Sequence, residues 1–306
     1  MKKITLCLLL LPGIILSGSA FSAERLRVVT TTEDLASIAR EVGGERVEVK
    51  AIARGYQDPH FVEPKPSYLM LLRRADLLVA VGLELEVAWL PALVKQCRNP
   101  RLLTPQGYLD ASEGCEVLER STGPASRAEG DTHPLGNPHY WLDPANGAVI
   151  ARRLARKFSA LAPGHSPYFE ARRDDFLKRL DEAVKGWGER AEKFRGTKVI
   201  TYHRSWSNFA RRFGLDVVDY VEPKPGVPPS SAHTFALIEK IKVEKIPLIL
   251  IEPYFDLKLP DRVAERSGAR VLVLYPSVGG AEDIDDYIAL FEHDLTLIER
   301  ALKKTQ

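Results

Sequence analysis

Apolar residues along this chain recur in two rhythms that take turns. Leu26 to Thr31 is a short run of strand character, and Leu35, Ile38, Ala39 and Val42 then recur at helical spacing until Gly43 stops them. Val47, Val49 and Ala51 alternate as a second strand. Tyr68 to Ala75 reads as helix, Leu77 to Val81 as a buried strand, and Val87 to Cys97 as a helix that opens near Pro91. The second half repeats the scheme, with strand Val199 to Tyr202, helix Ser207 to Phe213 ended by Gly214, and strand Val217 to Val221. A helix start at Ser230-Ser231 and strands Leu248 to Ile251 and Val271 to Leu274 follow. A last helix keeps Ile284, Ile288, Phe291, Leu295 and Ile298 on one stripe. Strands alternating with helices predict parallel sheets covered on both faces.

Between the halves, Phe169, Phe176, Leu180, Ala183, Trp187, Ala191 and Phe194 hold one apolar stripe from Ser166-Pro167 to Gly196. At about 1.5 Å per residue, Pro167 to Arg195 forms a rod of about 43 Å, longer than a crossover within one lobe requires. The expected architecture is therefore α/β: two parallel-sheet lobes, 24–165 and 197–306, joined by a single long linker helix, 166–196. The stretch from Asn99 to Asn137, rich in Pro, Gly, Ser and charge, is expected to be the most mobile part. It offers only Leu102-Leu103 and Val117-Leu118 as short strands.

The N-terminus adds a compartment. Lys2-Lys3, an apolar run from Ile4 to Leu16 and small residues through Ala20 and Ala23 make residues 1–23 a secretory signal peptide. The run is shorter than the roughly 20 apolar residues of a membrane-spanning helix. No cysteine stands at the expected cleavage point after Ala20 or Ala23, which argues against a lipid anchor. Without Lys2 and Lys3 the formal charge of +2 disappears, and no basic block remains to recruit nucleic acid or anionic membrane. Cys97 and Cys115 stay behind in an oxidising setting, either as one disulfide or as two separate buried thiols.

Three histidines carry the candidate chemistry. His60 follows Gln57-Asp58-Pro59, His139 stands in Gly136-Asn137-Pro138-His139 just ahead of the Asp143-Pro144 helix start, and His203 ends the run Val199 to Tyr202. His139, His203, Glu252 and Tyr275 all fall where a strand ends or a helix begins, and open α/β sheets bind ligands at the carboxyl ends of their strands. Neutral imidazole favours zinc and other late first-row ions. His60, His139 and His203 are expected to converge on one metal ion, with one oxygen donor completing a tetrahedron. His165 and His293 read as surface or hydrogen-bonded residues, and His233 as exposed or capping.

The chain resembles the metal-binding solute-binding proteins of ABC importers, which include periplasmic zinc-uptake binding proteins and manganese-uptake lipoproteins. The resemblance is carried by Asp58-Pro59-His60 with Glu63-Pro64-Lys65-Pro66-Ser67 and by Gly82-Leu83-Glu84-Leu85-Glu86 before Trp89-Leu90. It continues through Asn137-Pro138-His139-Tyr140-Trp141-Leu142-Asp143-Pro144 and through Tyr202-His203 with Phe209 to Leu215. It implies a metal buried between the lobes, with His60 and His139 as N-lobe ligands and His203 as a C-lobe ligand. Manganese-type members usually place a carboxylate at the position of His203, so a histidine there implies Zn2+, with Mn2+ or Fe2+ as the alternative cargo. The implied protein is a periplasmic monomer that delivers zinc to an ABC permease in the inner membrane.

Two departures from the family pattern stand out. Relatives commonly supply an aspartate ligand from an Asp-Pro-Leu-Gly-like turn, whereas the matching turn here reads Tyr275-Pro276-Ser277-Val278-Gly279-Gly280. The fourth donor is thus open among Glu252, a water and a hydroxyl of this loop; Glu252, at a strand end in the lobe of His203, is the residue we expect there. Many zinc-uptake members also carry a His-rich acidic insertion between the first two ligands. Here only His133 stands among Glu116, Glu119, Glu129 and Asp131, thin material for an auxiliary metal-collecting loop. The competing class is a three-histidine zinc hydrolase with Glu252 as base. The absence of a His-Glu-x-x-His helix and the end-to-end resemblance favour a binding protein over an enzyme.

Overall fold

A computed structural model describes residues 25–120, 133–224 and 226–303. Residues 1–23, read as a signal peptide, and residues 121–132 of the segment expected to be mobile lie outside the described residues.

The first sheet is built from β1 (Leu26–Thr30), β2 (Val47–Ala51), β3 (Leu77–Ala80) and β4 (Tyr108–Asp110), in the order β2-β1-β3-β4. The second is built from β5 (Lys198–Thr201), β6 (Asp216–Tyr220), β7 (Leu248–Ile251) and β8 (Arg270–Val273), in the equivalent order β6-β5-β7-β8. Every pairing in both sheets is parallel. The runs Leu-Leu-Val-Ala in β3 and Leu-Ile-Leu-Ile in β7 are buried throughout, as expected of inner strands covered by helices on both faces. In each sheet the strand order reverses beside the first strand, β1 or β5, and this is where an open α/β sheet leaves a crevice at its carboxyl edge.

The helices are α1 (Glu33–Gly43), α2 (Pro66–Arg74), α3 (Leu90–Gln96), α4 (Pro144–Leu161), α5 (Ser166–Ala191), α6 (Ser207–Phe213), α7 (Ser231–Glu244), α8 (Lys258–Ser267) and α9 (Tyr287–Lys303). Several begin where the sequence signals a cap. Asp143 accepts from the Ala145 amide ahead of α4, with Pro144 as the first helical residue, and Ser230 accepts from the His233 amide ahead of α7. The 26 residues of α5 run on into a 3-10 turn, Glu192–Phe194. This helix packs on α1 and α4 of the first lobe and on α6 and α9 of the second. Phe169, Phe176, Leu180, Trp187 and Ala191 form its buried stripe, and they belong to one apolar core that runs from Val28 and Leu35 through α5 to Phe213, Phe291 and Ile298.

Three expectations need correction. Leu102-Leu103 is not a strand but the end of a 3-10 turn, Pro100–Leu103, because Asn99 caps it by accepting from the Arg101 amide. The edge strand is Tyr108–Asp110, and Val117-Leu118 pairs with no strand. The third helix begins at Leu90 rather than Val87, since Leu83 (φ 51°) and Glu84 (φ 67°) take left-handed conformations and the chain from Gly82 to Trp89 runs through turns. Of the two alternatives for the cysteines, the separate thiols hold: Cys97 and Cys115 are both free and buried, Cys97 in an N-lobe cluster with Leu72 and Leu93, Cys115 in the main core.

Candidate metal centre

His60 and His139 are held by the same local device. In Asp58-Pro59-His60, Asp58 Oδ1 accepts from the backbone N–H of His60 (2.9 Å) and lies 2.8 Å from its ring Nδ1. In Asn137-Pro138-His139, Asn137 Oδ1 does both at 2.9 and 3.0 Å. Proline between acceptor and histidine fixes the backbone so that one oxygen reaches both nitrogens. His203 has no such partner two residues back, since the Thr201 hydroxyl donates instead to the His203 carbonyl. Glu222, just past the end of the neighbouring strand β6, takes that role, with Oε2 2.8 Å from His203 Nδ1. Its other oxygen accepts from the Gly226 amide at 2.8 Å, which ties it to the proline-rich loop.

These acceptors settle the tautomers. A carboxylate or amide oxygen can only accept, so each ring must carry its proton on Nδ1 and present a bare lone pair at Nε2. Ligand nitrogens of His60, His139 and His203 all lie within 4.8 Å of one another. Their rings are close neighbours, with centroids 5.1, 5.5 and 5.7 Å apart. All three side chains are buried, at 7%, 2% and 8% exposure, and Nε2 of both His60 and His139 has no hydrogen-bond partner. Buried nitrogens left in this way cost free energy unless something else binds them.

The electrostatics follow from this packing. Burial, then the charges of His60, His203 and His133, push the His139 imidazole well below its ordinary range, which keeps it neutral. Burial works to lower His203, but its hydrogen bond to Glu222 and the charges of Glu252, Glu222 and Asp58 outweigh it and leave the imidazole raised. Burial also works to raise Asp58, but its contacts with His60 and the charge of His203 hold it below the usual carboxylate range. Asp58 and Glu222 thus set two carboxylates one hydrogen bond behind the imidazoles, enough to balance a dication that three neutral rings cannot.

The structure places the remaining expected residues as follows. Glu252 stands at the carboxyl end of β7, fully buried, and neither carboxylate oxygen has a hydrogen-bond partner. Burial raises it to about 7 against the charge of His203. Its oxygens are not part of the mutually close set formed by the three histidines. Tyr275 is engaged elsewhere: its ring meets His293 edge-on at 5.3 Å, and its amide donates to Asp294 at 3.1 Å. His293 also contacts Asp283, and His233 Nε2 lies 2.9 Å from the Tyr220 carbonyl. Two further residues adjoin the site, Glu222, which sequence reasoning passed over, and His133, which it read only as thin material for a metal-collecting loop. Glu222 lies 19 residues from the histidine it holds, too far for any local pattern; His133 brings its ring to 5.3 Å from that of His60.

The lobes meet around this centre through specific hydrogen bonds. Asn137 Nδ2 donates to the Arg204 carbonyl (2.7 Å) and Trp141 Nε1 to the Pro276 carbonyl (2.9 Å). Arg212 grips the Asp143 carboxylate at 2.7 and 2.9 Å. The Ser277 hydroxyl and Val278 amide donate to Asp34 on α1, at 2.5 and 3.0 Å. Gly55 passes so close to the loop at Val278 to Gly280 that a Cβ would sit 2.0 Å from the Val278 carbonyl oxygen.

Comparison with known proteins agrees with this geometry. Residues 28–301 match the family described as ZnuA, zinc-uptake complex component A, periplasmic. The manganese ABC transporter substrate-binding lipoprotein PsaA of Streptococcus pneumoniae is 25% identical over 319 residues, spanning 99% of this chain and 100% of that protein. The zinc-binding lipoprotein AdcA of Streptococcus pneumoniae is also 25% identical, over 100% of this chain and 61% of its own length. A crystal structure of ZnuA superimposes with a TM-score of 0.78 at 25% identity, covering 91% of this chain and 99% of that one. Two parallel-sheet lobes on a long helix, a buried cluster of imidazoles at their junction and a match across nearly the whole chain lead to one assignment: this chain belongs to the zinc-uptake component A family, the metal-binding solute-binding proteins of ABC importers.

Proposed function

We propose that the protein captures a zinc ion in the periplasm, after export directed by residues 1–23, and delivers it to an ABC-type permease of the inner membrane. The observation that carries this reading is the donor set. His60, His139 and His203 each have Nδ1 tied to an oxygen, and their ligand nitrogens converge. Such a set suits zinc, whereas manganese prefers carboxylate, carbonyl and water oxygens. Glu252, the carboxylate we expected on the ion, stands outside the converging set and does not ligate in this reading. The ion is cargo, so the site must hold it without reacting, and the reading is that of a carrier rather than a hydrolase. The manganese reading draws on the resemblance to PsaA, at the same identity as to AdcA. Metal analysis of the native mature chain, followed by titration of the stripped protein with zinc, manganese and iron, decides between them. One zinc per chain, bound in preference to the other two, is expected; preference for manganese would overturn the assignment.

A further inference from the structure

We propose that His133 is the fourth donor to the metal, closing over the three-histidine face as the last ligand; this rests on the metal-binding reading above. His133 comes as near to His60 as the other two imidazoles do: its ring centroid lies 5.3 Å from that of His60, against 5.1 Å for His139 and 5.5 Å for His203. Its Nε2 is buried and has no hydrogen-bond partner. The other ring nitrogen is held by the backbone of Leu83. His133 therefore repeats the construction of the other three, with one nitrogen tied to an oxygen and Nε2 left bare.

The carbonyl that holds it is itself unusually placed. Leu83 and Glu84 are consecutive non-glycine residues at φ 51° and 67°, a conformation that costs free energy and persists only where the surroundings impose it. Beside them the buried Glu86 carboxylate accepts from the amides of Val81 (2.7 Å) and Gly82 (3.1 Å). A strained turn that presents a carbonyl to a histidine beside the metal site is best explained if that histidine has work to do there.

The competitors for the fourth corner in the loop after β8 are otherwise occupied. Tyr275 packs on His293, the Pro276 carbonyl accepts from Trp141, and Ser277 and Val278 bind Asp34. Glu252 lies outside the converging set. His133 also lies outside the atoms found within 4.8 Å of one another, so its ring must move inward when the ion arrives. That motion is open to it as the outermost of the four rings and a half-buried loop residue.

The test uses the mature chain with His133→Ala and His133→Gln, stripped and reloaded. Zinc affinity is measured against a competing chelator, and the site geometry from the visible absorption of the Co2+-loaded protein. Both variants should lose zinc affinity on the order of 10–100-fold, with melting temperatures of the stripped proteins unchanged, and the cobalt bands should shift as a nitrogen donor gives way to water. Wild-type affinity in the variants would overturn the proposal, and so would a weakened affinity with unaltered cobalt bands, since His133 would then act from outside the coordination sphere. A wild-type chain that bound neither zinc nor cobalt would overturn the metal-binding reading itself.

Discussion

At the scale of single residues, an acceptor oxygen two positions ahead of a histidine, with proline between, fixes an ordinary imidazole in one tautomer and leaves its Nε2 open. His60→Ala, His139→Ala and His203→Ala should each weaken zinc binding by orders of magnitude, while His165→Ala and His293→Ala leave it unchanged, because His293 is occupied by Asp283 and His165 sits in the turn ahead of α5. Glu252→Gln should also stay near wild type in isothermal titration; a large loss would put that carboxylate on the ion. The supporting oxygens form a graded series. Asp58→Ala and Glu222→Ala remove both charge and acceptor and should cost about 10–100-fold in zinc affinity. Asp58→Asn should cost less, since His139 already works with an asparagine in the same place. Equal losses for Asp58→Asn and Asp58→Ala would show that charge alone matters. The paired Asx-Pro-His motifs made two of the three converging histidines legible in the sequence. Glu222 was not legible, because its tie to His203 depends on β5 and β6 lying side by side.

At the scale of elements, the latch between α1 and the loop after β8 has a titration of its own. Burial raises Asp34 from 3.8 to about 7, although Ser277 and Val278 donate to it. Between these values the folded protein keeps a proton that the unfolded chain has released, so this contribution to stability is whole below about pH 4 and drains away as pH rises toward 7. Asp34→Asn, which cannot ionise, should abolish that drift. In denaturant unfolding of the metal-free protein, the stability of wild type relative to Asp34→Asn should fall by a few kcal/mol between about pH 4.5 and 7.5. A difference that stays flat would mean that Asp34 is ionised throughout. The sequence announced α1 and β7 plainly through their apolar spacing, whereas the last helix starts at Tyr287, three residues after the Ile284 that the apolar stripe puts on it. The sequence hid β4, whose three residues pair only along β3, and it overran the start of α3, where backbone conformation rather than side-chain pattern ends the turns. Nothing in the pattern around Asp34 shows that it reaches Ser277, 243 residues away.

At the scale of the whole molecule, an ion held by imidazoles from both halves would be linked to the fold by mass action, since those imidazoles come together only in the folded chain. Zinc should raise the melting temperature of stripped protein far more than manganese at equal concentration in a differential scanning experiment; equal shifts would remove the zinc assignment. The alternation of strand and helix made the two-lobe architecture readable, and the long stripe from Phe169 to Phe194 announced α5. That stripe has a further consequence. Its residues belong to one cluster with Val28 and Leu35 on one side and Phe213 and Ile298 on the other, so each lobe finishes its interior against the same helix. A chain severed near α5 would leave two fragments with a raw apolar face each, and the intact chain should melt as a single cooperative unit rather than as two lobes in succession.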